Sequence, residues 1–224
     1  AFHVYGSSTG AETWAATPFV GDTIVKMVGA PDGKHILAQG LTNAWLVSRD
    51  ESGALVTVPL LEGSAFEGGR GEVGGIAAGL GEVACAVGVG RRGSRVVARR
   101  IDEASSKNVI GDPLEEAGLT RKVVADSGSA GLVRLNDRGR VSFYDAVNHS
   151  WSNETMAVES VDHIWPMGKV TAAYSRSQGC VLIRRDGKWQ VEPTTAGEVA
   201  EALPFSNGLL LWLKRGMISF LPAD

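Results

Sequence analysis

A glycine-rich stretch near the middle of the chain has the spacing of a nucleotide-binding loop. In ACAVGVGRRGSRVVARRID (84–102), Gly88, Gly90 and Gly93 form the pattern G-x-G-x-x-G after an apolar run, and Asp112 follows 24 residues after Gly88. In dinucleotide-binding folds such glycines let the backbone approach a pyrophosphate at the start of a helix, and a later acid binds the ribose. The alternative is a β-hairpin with a glycine-rich turn, and the surrounding elements decide between the two.

The same arrangement of elements recurs four more times along the chain. Each copy is an apolar run, a short turn containing Gly or Asn, a second apolar run and a terminal Asp. The five aspartates, which are 52, 43, 41 and 38 residues apart, are Asp50, Asp102, Asp145, Asp186 and Asp224. Residues that tolerate tight turns lie at 32–33, 136–139 and 186–187. Such a period, with a short strand before each hairpin and a more polar strand after it, is typical of a four-stranded propeller blade.

The repeats predict an all-β fold, a single small β-propeller of four-stranded antiparallel blades that spans residues 1–224. The predicted blades are 22–60, 72–113, 121–158, 161–194 and 198–224. Within each blade the strands follow one another as inner, second, third and outer strand. Segments 2–5 and 12–17 are also predicted strands, so residues 1–19 would close the last blade and the propeller would have five blades. A sixth, divided blade is the alternative.

The repeat argues against a dinucleotide site. A helix would have to begin at Gly93, but Val96 and Val97 are β-branched and the four sister segments are strands. We therefore predict that the three glycines belong to a hairpin turn and that Asp112 begins a loop before Pro113. No nucleotide cofactor is expected.

Two stretches resemble the repeats of known propeller families. VKMVGAPDGKHILAQG (25–40) resembles the inner hairpin of WD-repeat or lactonase-type propellers, with its P-D-G-K turn. VVADSGSAGLVRLNDRGRVSFYD (123–145) resembles the regulator-of-chromosome-condensation repeat, as does 2–6 followed by Pro18. The W-D and G-H dipeptides of WD repeats and the G-Q-L-G turn of the other family are absent. The resemblance implies a propeller and implies no particular partner or active residue.

Four of the five inner strands are preceded by an acidic residue, and equivalent positions on inner strands ring one mouth of a propeller's channel. These residues are Asp22, Glu72, Asp162 and Glu198. Such a ring could bind a metal, a cationic ligand or a basic peptide. It could also supply the acid and the base or nucleophile of a glycoside hydrolase, with Asp162 paired to Asp22 or Glu198. The alternative is that these acids lie in ordinary loops and bind nothing.

The densest positive cluster lies on one predicted hairpin. Its candidate partner-binding residues are Arg91, Arg92, Arg95 and Arg99. Arg95 and Arg99 share a face because side chains alternate along a strand. An acidic partner protein could bind there, and the alternative is a solvated turn. Nucleic acid is not favoured, because the net charge is −3 and no aromatic residues lie among the arginines.

Histidine and tryptophan positions suggest little further chemistry. None of the four histidines forms a spaced ligand pair with another histidine or a cysteine, so no metal site and no cofactor is predicted. Trp151 and Trp189 lie in or near outer strands, where they could bind glycans if the chain were a five-bladed lectin. Trp45 and Trp212 are predicted to fill space between blades.

Composition is ordinary for a globular protein, and the predicted function rests on analogy at the level of the fold. The chain is 44% hydrophobic and 21% charged, and it has no apolar stretch long enough to span a bilayer. Cys85 and Cys180 are predicted free thiols, which mildly favours a reducing intracellular compartment. The first residue is Ala1 and not Met, so the sequence is compatible with a fragment or a processed form, and it leaves open whether a targeting segment preceded it. The predicted function is a non-catalytic scaffold that binds another protein or complex subunit, with a lectin or a glycoside hydrolase as alternatives.

Overall fold

The fold was examined in a computed structural model. It describes residues 2–5, 12–15, 22–49, 55–62, 74–79, 82–89, 95–102, 109–116, 119–126, 131–193, 198–205 and 207–223. All regular elements in these ranges are β-strands. No helix within them is long and apolar enough to cross a membrane.

Five sheets follow one another along the chain. The first contains β3 (Ile24–Gly29), β4 (His35–Gly40), β5 (Ala44–Arg49) and β6 (Leu55–Leu61). The second contains β7 (Gly74–Gly79), β8 (Glu82–Val89), β9 (Arg95–Asp102) and β10 (Val109–Glu116). The third contains β11 (Thr120–Asp126), β12 (Gly131–Asn136), β13 (Val141–Asp145) and β14 (Ser150–Asn153).

The last two sheets have the same design. The fourth contains β15 (His163–Met167), β16 (Val170–Ser175), β17 (Cys180–Arg185) and β18 (Lys188–Val191). The fifth has three strands, β19 (Val199–Phe205), β20 (Gly208–Leu213) and β21 (Ile218–Pro222). In every sheet each strand pairs antiparallel with the next strand in the chain. The all-β prediction with its inner, second, third and outer strands is therefore confirmed.

The N-terminal strands do not close the last sheet by hydrogen bonding. β1 (Phe2–Tyr5) and β2 (Glu12–Ala15) pair with each other in a separate two-stranded sheet. Within the described strands, no pairing joins them to β21. The predicted pairing of 12–17 with the C-terminal strands is thus wrong in this structure. A hairpin partner adjacent in sequence is the more local contact for β2, because a short loop costs little entropy to close.

The glycine-rich stretch is a hairpin, as its sister segments suggested. β8 and β9 pair along their full length, with Gly88 opposite Val96. Gly88 therefore lies within β8 and not in the turn as predicted, and Gly90 and Gly93 lie outside the described residues. The prediction for Asp112 was wrong, since both Asp112 and Pro113 lie inside β10. The register of β10 shifts between Ile110 and Leu114, and β10 is the edge strand of its sheet. An edge strand with a bulge tolerates proline, because its missing N–H breaks no ladder bond there.

The predicted tight turns are confirmed by their backbone angles. Gly33 and Gly139 have φ values of 70° and 74°. Asp186 and Gly187 have φ values of 49° and 73°. Such left-handed conformations favour glycine, and aspartate tolerates them better than most other residues.

Apolar layers between successive sheets form the core. Strand side chains alternate, so one strand serves two layers: Ile76 of β7 packs toward the first sheet and Ala77 toward the third. Leu132 and Val133 of β12 likewise belong to the layers on either side of the third sheet. A further layer, which includes Tyr174, joins the fourth and fifth sheets. This stacking explains why the first two strands of the second, third and fourth sheets are apolar on both faces.

Two backbone hydrogen bonds repeat between neighbouring sheets. The carbonyl of Gly139 accepts from the N–H of Val161 at 2.9 Å, and that of Gly179 accepts from Val199 at 2.7 Å. Both glycines have left-handed φ, and a Cβ on Gly139 would lie 2.8 Å from the Val161 carbonyl oxygen. Each turn therefore anchors the chain at the start of the next inner strand.

One charged cluster is buried between the third and fourth sheets. The Arg184 guanidinium donates from Nη1 to Asp126 Oδ2 at 2.8 Å and from Nε to Glu154 Oε2 at 3.1 Å. Its Cζ lies 4.1 Å from the centroid of the Phe143 ring. Thr171 Oγ1 donates to the second oxygen of Asp126 at 3.1 Å. This Arg184 cluster links two sheets through groups that are almost wholly shielded from water.

Candidate functional site

Asp22, the first acid of the predicted ring, is bonded to a neighbouring turn. Its Oδ1 accepts hydrogen bonds from the N–H groups of Thr23 and Leu41 at 2.8 and 2.9 Å. Its Oδ2 accepts from the N–H groups of Thr42 and Asn43 at 3.0 and 2.9 Å and from the Asn43 side-chain amide at 3.1 Å. The carboxylate therefore clasps the turn between β4 and β5.

This environment favours the charged form of Asp22. Partial burial raises the pKa, but hydrogen bonds donated by the backbone of Thr42, Leu41 and Thr23 outweigh it, and the pKa lies below its usual range. The carboxylate also lies directly against Gly40, where an added Cβ would come 2.7 Å from Cγ of Asp22. Glycine at position 40 is what lets the acid reach the turn.

Asp162 and Glu198 occupy the same place in their own sheets. Asp162 Oδ2 accepts from the N–H of Arg176 at 2.7 Å, in the turn between β16 and β17. Glu198 pairs with the Lys214 ammonium, in the turn between β20 and β21. The Lys214 side chain is the largest cause of the lowered pKa of Glu198. Glu72 lies outside the described residues.

Each described acid is thus bonded to a turn of its own sheet. In the described part of the chain, no three His, Cys, Asp or Glu side chains come together in a way that could hold a metal ion. The carboxylates have a structural explanation in the hairpin turns. Binding of a cation or a basic peptide at these positions stays a prediction.

The basic hairpin can be placed only in part. Arg95 and Arg99 lie on β9, opposite Val89 and Cys85 of β8, and their spacing puts them on one face of the second sheet. Their side chains, and Arg91 and Arg92 altogether, lie outside the described part of the structure. Binding of an acidic partner there also stays a prediction.

The outer tryptophans take part in packing. Trp189 is 9% exposed and belongs to the layer between the third and fourth sheets. Trp151 is half-buried, and its ring centroid lies 5.2 Å from that of Tyr144. His163 stacks on Trp165 at 5.5 Å. A lectin would present open aromatic faces to sugars, and Trp151 and Trp189 do not provide them.

A cavity of about 580 Å³ opens among the inner strands. Its walls come from β3, β7, β11 and β15, and they are mostly apolar. Two cationic residues, Lys26 of β3 and Lys122 of β11, line it. The sequence analysis missed this inner-strand cavity. The signal available was a lysine within each of two predicted inner strands, where apolar residues are the rule.

The outer face of the fifth sheet is open and mostly apolar, with Glu201 opposite Trp212 as a charged residue on it. Cross-strand pairing aligns Leu203, Leu210 and Phe220 in one row. Trp212 and Ile218 are paired in the next row, with exposed fractions of 59% and 74%. The prediction that Trp212 fills space between blades is wrong here, because no described sheet covers this side. The uninterrupted apolar run LLLWL could have predicted a strand built for burial on both faces.

Comparisons with known proteins support the fold and nothing finer. No protein-family model matches the chain, and no curated protein matches it by sequence. The crystal structure of human WBSCR16, a β-propeller, is similar with a TM-score of 0.55 at 12% identity, covering 91% of this chain and 63% of that chain. The computationally designed Ika4 protein has a TM-score of 0.40 at 12% identity, covering 71% of this chain and 96% of that one. The likeness to WBSCR16 supports a β-propeller, and the present chain spans less than two thirds of that protein's length.

Proposed function

We propose that the chain is a non-catalytic interaction module that binds a protein partner through the outer face of its fifth sheet. We define this terminal face by its large apolar side chains, which are Leu203, Phe205, Leu210, Trp212, Ile218 and Phe220. The partner expected is a protein with a flat apolar surface, because a sheet face packs best against another flat layer.

The observation that carries this proposal is the contrast between the two faces of one sheet. Leu209, Leu211 and Leu213 of β20 are at most 2% exposed and pack on the fourth sheet. On the other face, Phe205 is 57% exposed and Trp212 is 59% exposed. A contiguous apolar patch of this kind is uncommon on a monomer and typical of an interface.

The size of the side chains makes the face a strong binding element. Burying a large apolar side chain stabilises a complex by about 1.5–3 kcal/mol, and aromatic anchors are enriched among the residues that dominate interface energies. The fifth sheet has three strands where the other four sheets have four, and β21 is its edge. A strand of the partner could therefore also add to this edge through backbone hydrogen bonds.

The enzyme and lectin alternatives have less support. The described carboxylates are engaged by turns of their own sheets, and a hydrolase needs two that both face a substrate. The outer tryptophans are packed against neighbouring sheets. Neither alternative has an observation that favours it over the terminal face.

The experiment is affinity purification from the native source with quantitative mass spectrometry, comparing wild type, Ile218→Asp and Val191→Asp. Val191 is the matched control, because it is 46% exposed and lies on the edge strand of the neighbouring fourth sheet. We expect a stoichiometric partner with wild type and with Val191→Asp, reduced at least tenfold by Ile218→Asp, since a buried charge costs more than 1.4 kcal/mol.

Two outcomes would contradict the proposal. One is a partner that survives Ile218→Asp unchanged. The other is a wild-type protein that brings down no stoichiometric partner, or only further copies of itself. Circular dichroism of both variants serves as the control that each remains folded.

A further inference from the structure

We propose that the inner-strand cavity binds an organic anion with an apolar body, whose negative charge is held by Lys26 and Lys122. This site is separate from the terminal face, and the proposal does not depend on the protein partner. It also reverses the sign of the ligand that the acidic ring suggested from the sequence.

The cavity has the size and lining of a ligand site. Its volume of about 580 Å³ falls within the usual range for small-molecule pockets, about 300–1,000 Å³. Val28, Ile76 and Val123 give it apolar walls from three different inner strands. An apolar ligand body would gain burial from several sheets at once.

Two glycines form part of the β7 wall, where neighbouring strands approach closely. A Cβ on Gly75 would lie 2.8 Å from Cγ1 of Val123, so β7 and β11 approach each other closely. Gly74 has a φ of 154°, which side chains rarely adopt. Larger residues at these positions would collide with neighbouring side chains or strain the backbone, so the two glycines permit the close packing of strands at this wall.

The charge of the described wall is positive. Lys26 and Lys122 are half-buried, and none of the described lining residues is acidic. Each lysine also contacts other groups of the chain, so an anion would share the ammonium groups with them. Two like charges in a mostly apolar cleft focus the field and attract an anion more strongly than the same charges on an open surface.

A buried amide beside the wall gives a second, independent indication. Gln39 is 1% exposed, and neither its Nε2 nor its Oε1 has a hydrogen-bond partner in the described structure. It lies opposite Lys26 in the β3–β4 pairing, and its Oε1 is 3.1 Å from where a Cβ of Gly74 would be. Buried polar atoms are nearly always satisfied in folded proteins. A ligand oxygen reaching past Gly74 would supply an acceptor for the amide N–H.

The test uses two fluorescent probes that differ by one charge. Anilinonaphthalene sulfonate is an apolar anion, and phenylnaphthylamine is the same body without the sulfonate. Apolar binding elsewhere, including at the terminal face, affects both probes alike. The dissociation constant of the neutral probe divided by that of the anion therefore measures the contribution of the negative charge. We expect the anion to bind about tenfold more tightly to wild type, the gain from one charge-assisted hydrogen bond.

Variants locate the effect. Lys26→Gln and Lys122→Gln should each lower the ratio, and the double variant should bring it close to one. Lys169→Gln is the matched control, because Lys169 is exposed in the turn after β15, outside the cavity. It should leave the ratio unchanged, and added salt should lower the ratio in wild type. A ratio near one in wild type, or one that neither cavity variant changes, would overturn the proposal.

A second measurement needs no variant and remains decisive where a substitution disturbs folding. Wild-type protein is acetylated with and without anilinonaphthalene sulfonate, and lysine labelling is quantified by mass spectrometry. We expect the probe to slow labelling of Lys26 and Lys122 and to leave Lys169 unaffected. If the probe leaves the labelling rates of Lys26 and Lys122 unchanged, the site is refuted.

Discussion

Replacing Arg184 with methionine removes the only positive charge of the described cluster that links the third and fourth sheets. The guanidinium holds Asp126 at 2.8 Å and Glu154 at 3.1 Å, and their side chains are 12% and 11% exposed. Methionine keeps much of the apolar stem, so little volume is lost. The two carboxylates stay in place without the guanidinium, although Asp126 keeps the hydrogen bond from Thr171, and water reaches both acids poorly.

The expected loss follows from that burial. Removing one partner of a buried ion pair costs about 3–5 kcal/mol, because the remaining charge is left desolvated. The contact with the Phe143 ring contributes roughly 0.5–2 kcal/mol of its own, and the arginine no longer has to be desolvated, which offsets part of the loss. We therefore expect Arg184→Met to lower the free energy of unfolding by about 3–5 kcal/mol.

Urea unfolding followed by tryptophan fluorescence and linear extrapolation measures this change. The matched control is Arg185→Met. Arg185 is the next residue of β17, is 34% exposed and pairs with Glu192 at 3.0 Å, so its loss should cost no more than about 1 kcal/mol. Adding Glu154→Gln to Arg184→Met should restore part of the free energy of unfolding, because it removes one buried carboxylate that has lost the guanidinium. An Arg184→Met variant as stable as Arg185→Met would refute the reasoning.

Two further predictions concern titratable groups. Because the pKa of Asp22 is lowered in the folded protein, the stability it supplies is fully present above its ordinary value of about 3.9 and is lost as pH falls through the folded value. Asp22→Asn should therefore reduce the loss of unfolding free energy at acid pH, measured by circular dichroism. An unchanged acid dependence would contradict the role of Asp22 in holding the turn at residues 41–43. Burial raises the pKa of both thiols, and Cys85 is 0% exposed. Ellman's reagent should accordingly modify native Cys180 slowly and Cys85 only on unfolding; rapid labelling of native Cys85 would contradict its burial.

Much of the fold could be predicted from local sequence. Each sheet is a chain of hairpins, so strand pairing depends on neighbours in sequence and on turn residues such as Gly33 and Gly139. β3 (Ile24–Gly29) and β19 (Val199–Phe205) begin where the predicted blades 22–60 and 198–224 place their inner strands. The prediction was wrong at 12–17, where closure required contact between the two ends of the chain. The local sequence of residues 12–17 does not determine whether this strand pairs with the adjacent strand β1 or with a strand at the other end of the chain.

The candidate sites depended on contacts that the sequence does not encode locally. The sequence placed Asp22 before an inner strand, but only the fold brought residues 41–43 to its carboxylate. It showed that Trp212 lies on an apolar strand, and only the stacking of sheets left that face open.

The sequence by itself determined the repeat, the turns and the alternation of side chains, because each of these is set by residues within one hairpin. The tertiary structure decided which faces are covered and which lysines share a cavity. Lys26 and Lys122 belong to different sheets and line the same cavity only because the inner strands surround one space. Burial and charge at a site depend on every sheet that packs around it, and no single hairpin contains that information.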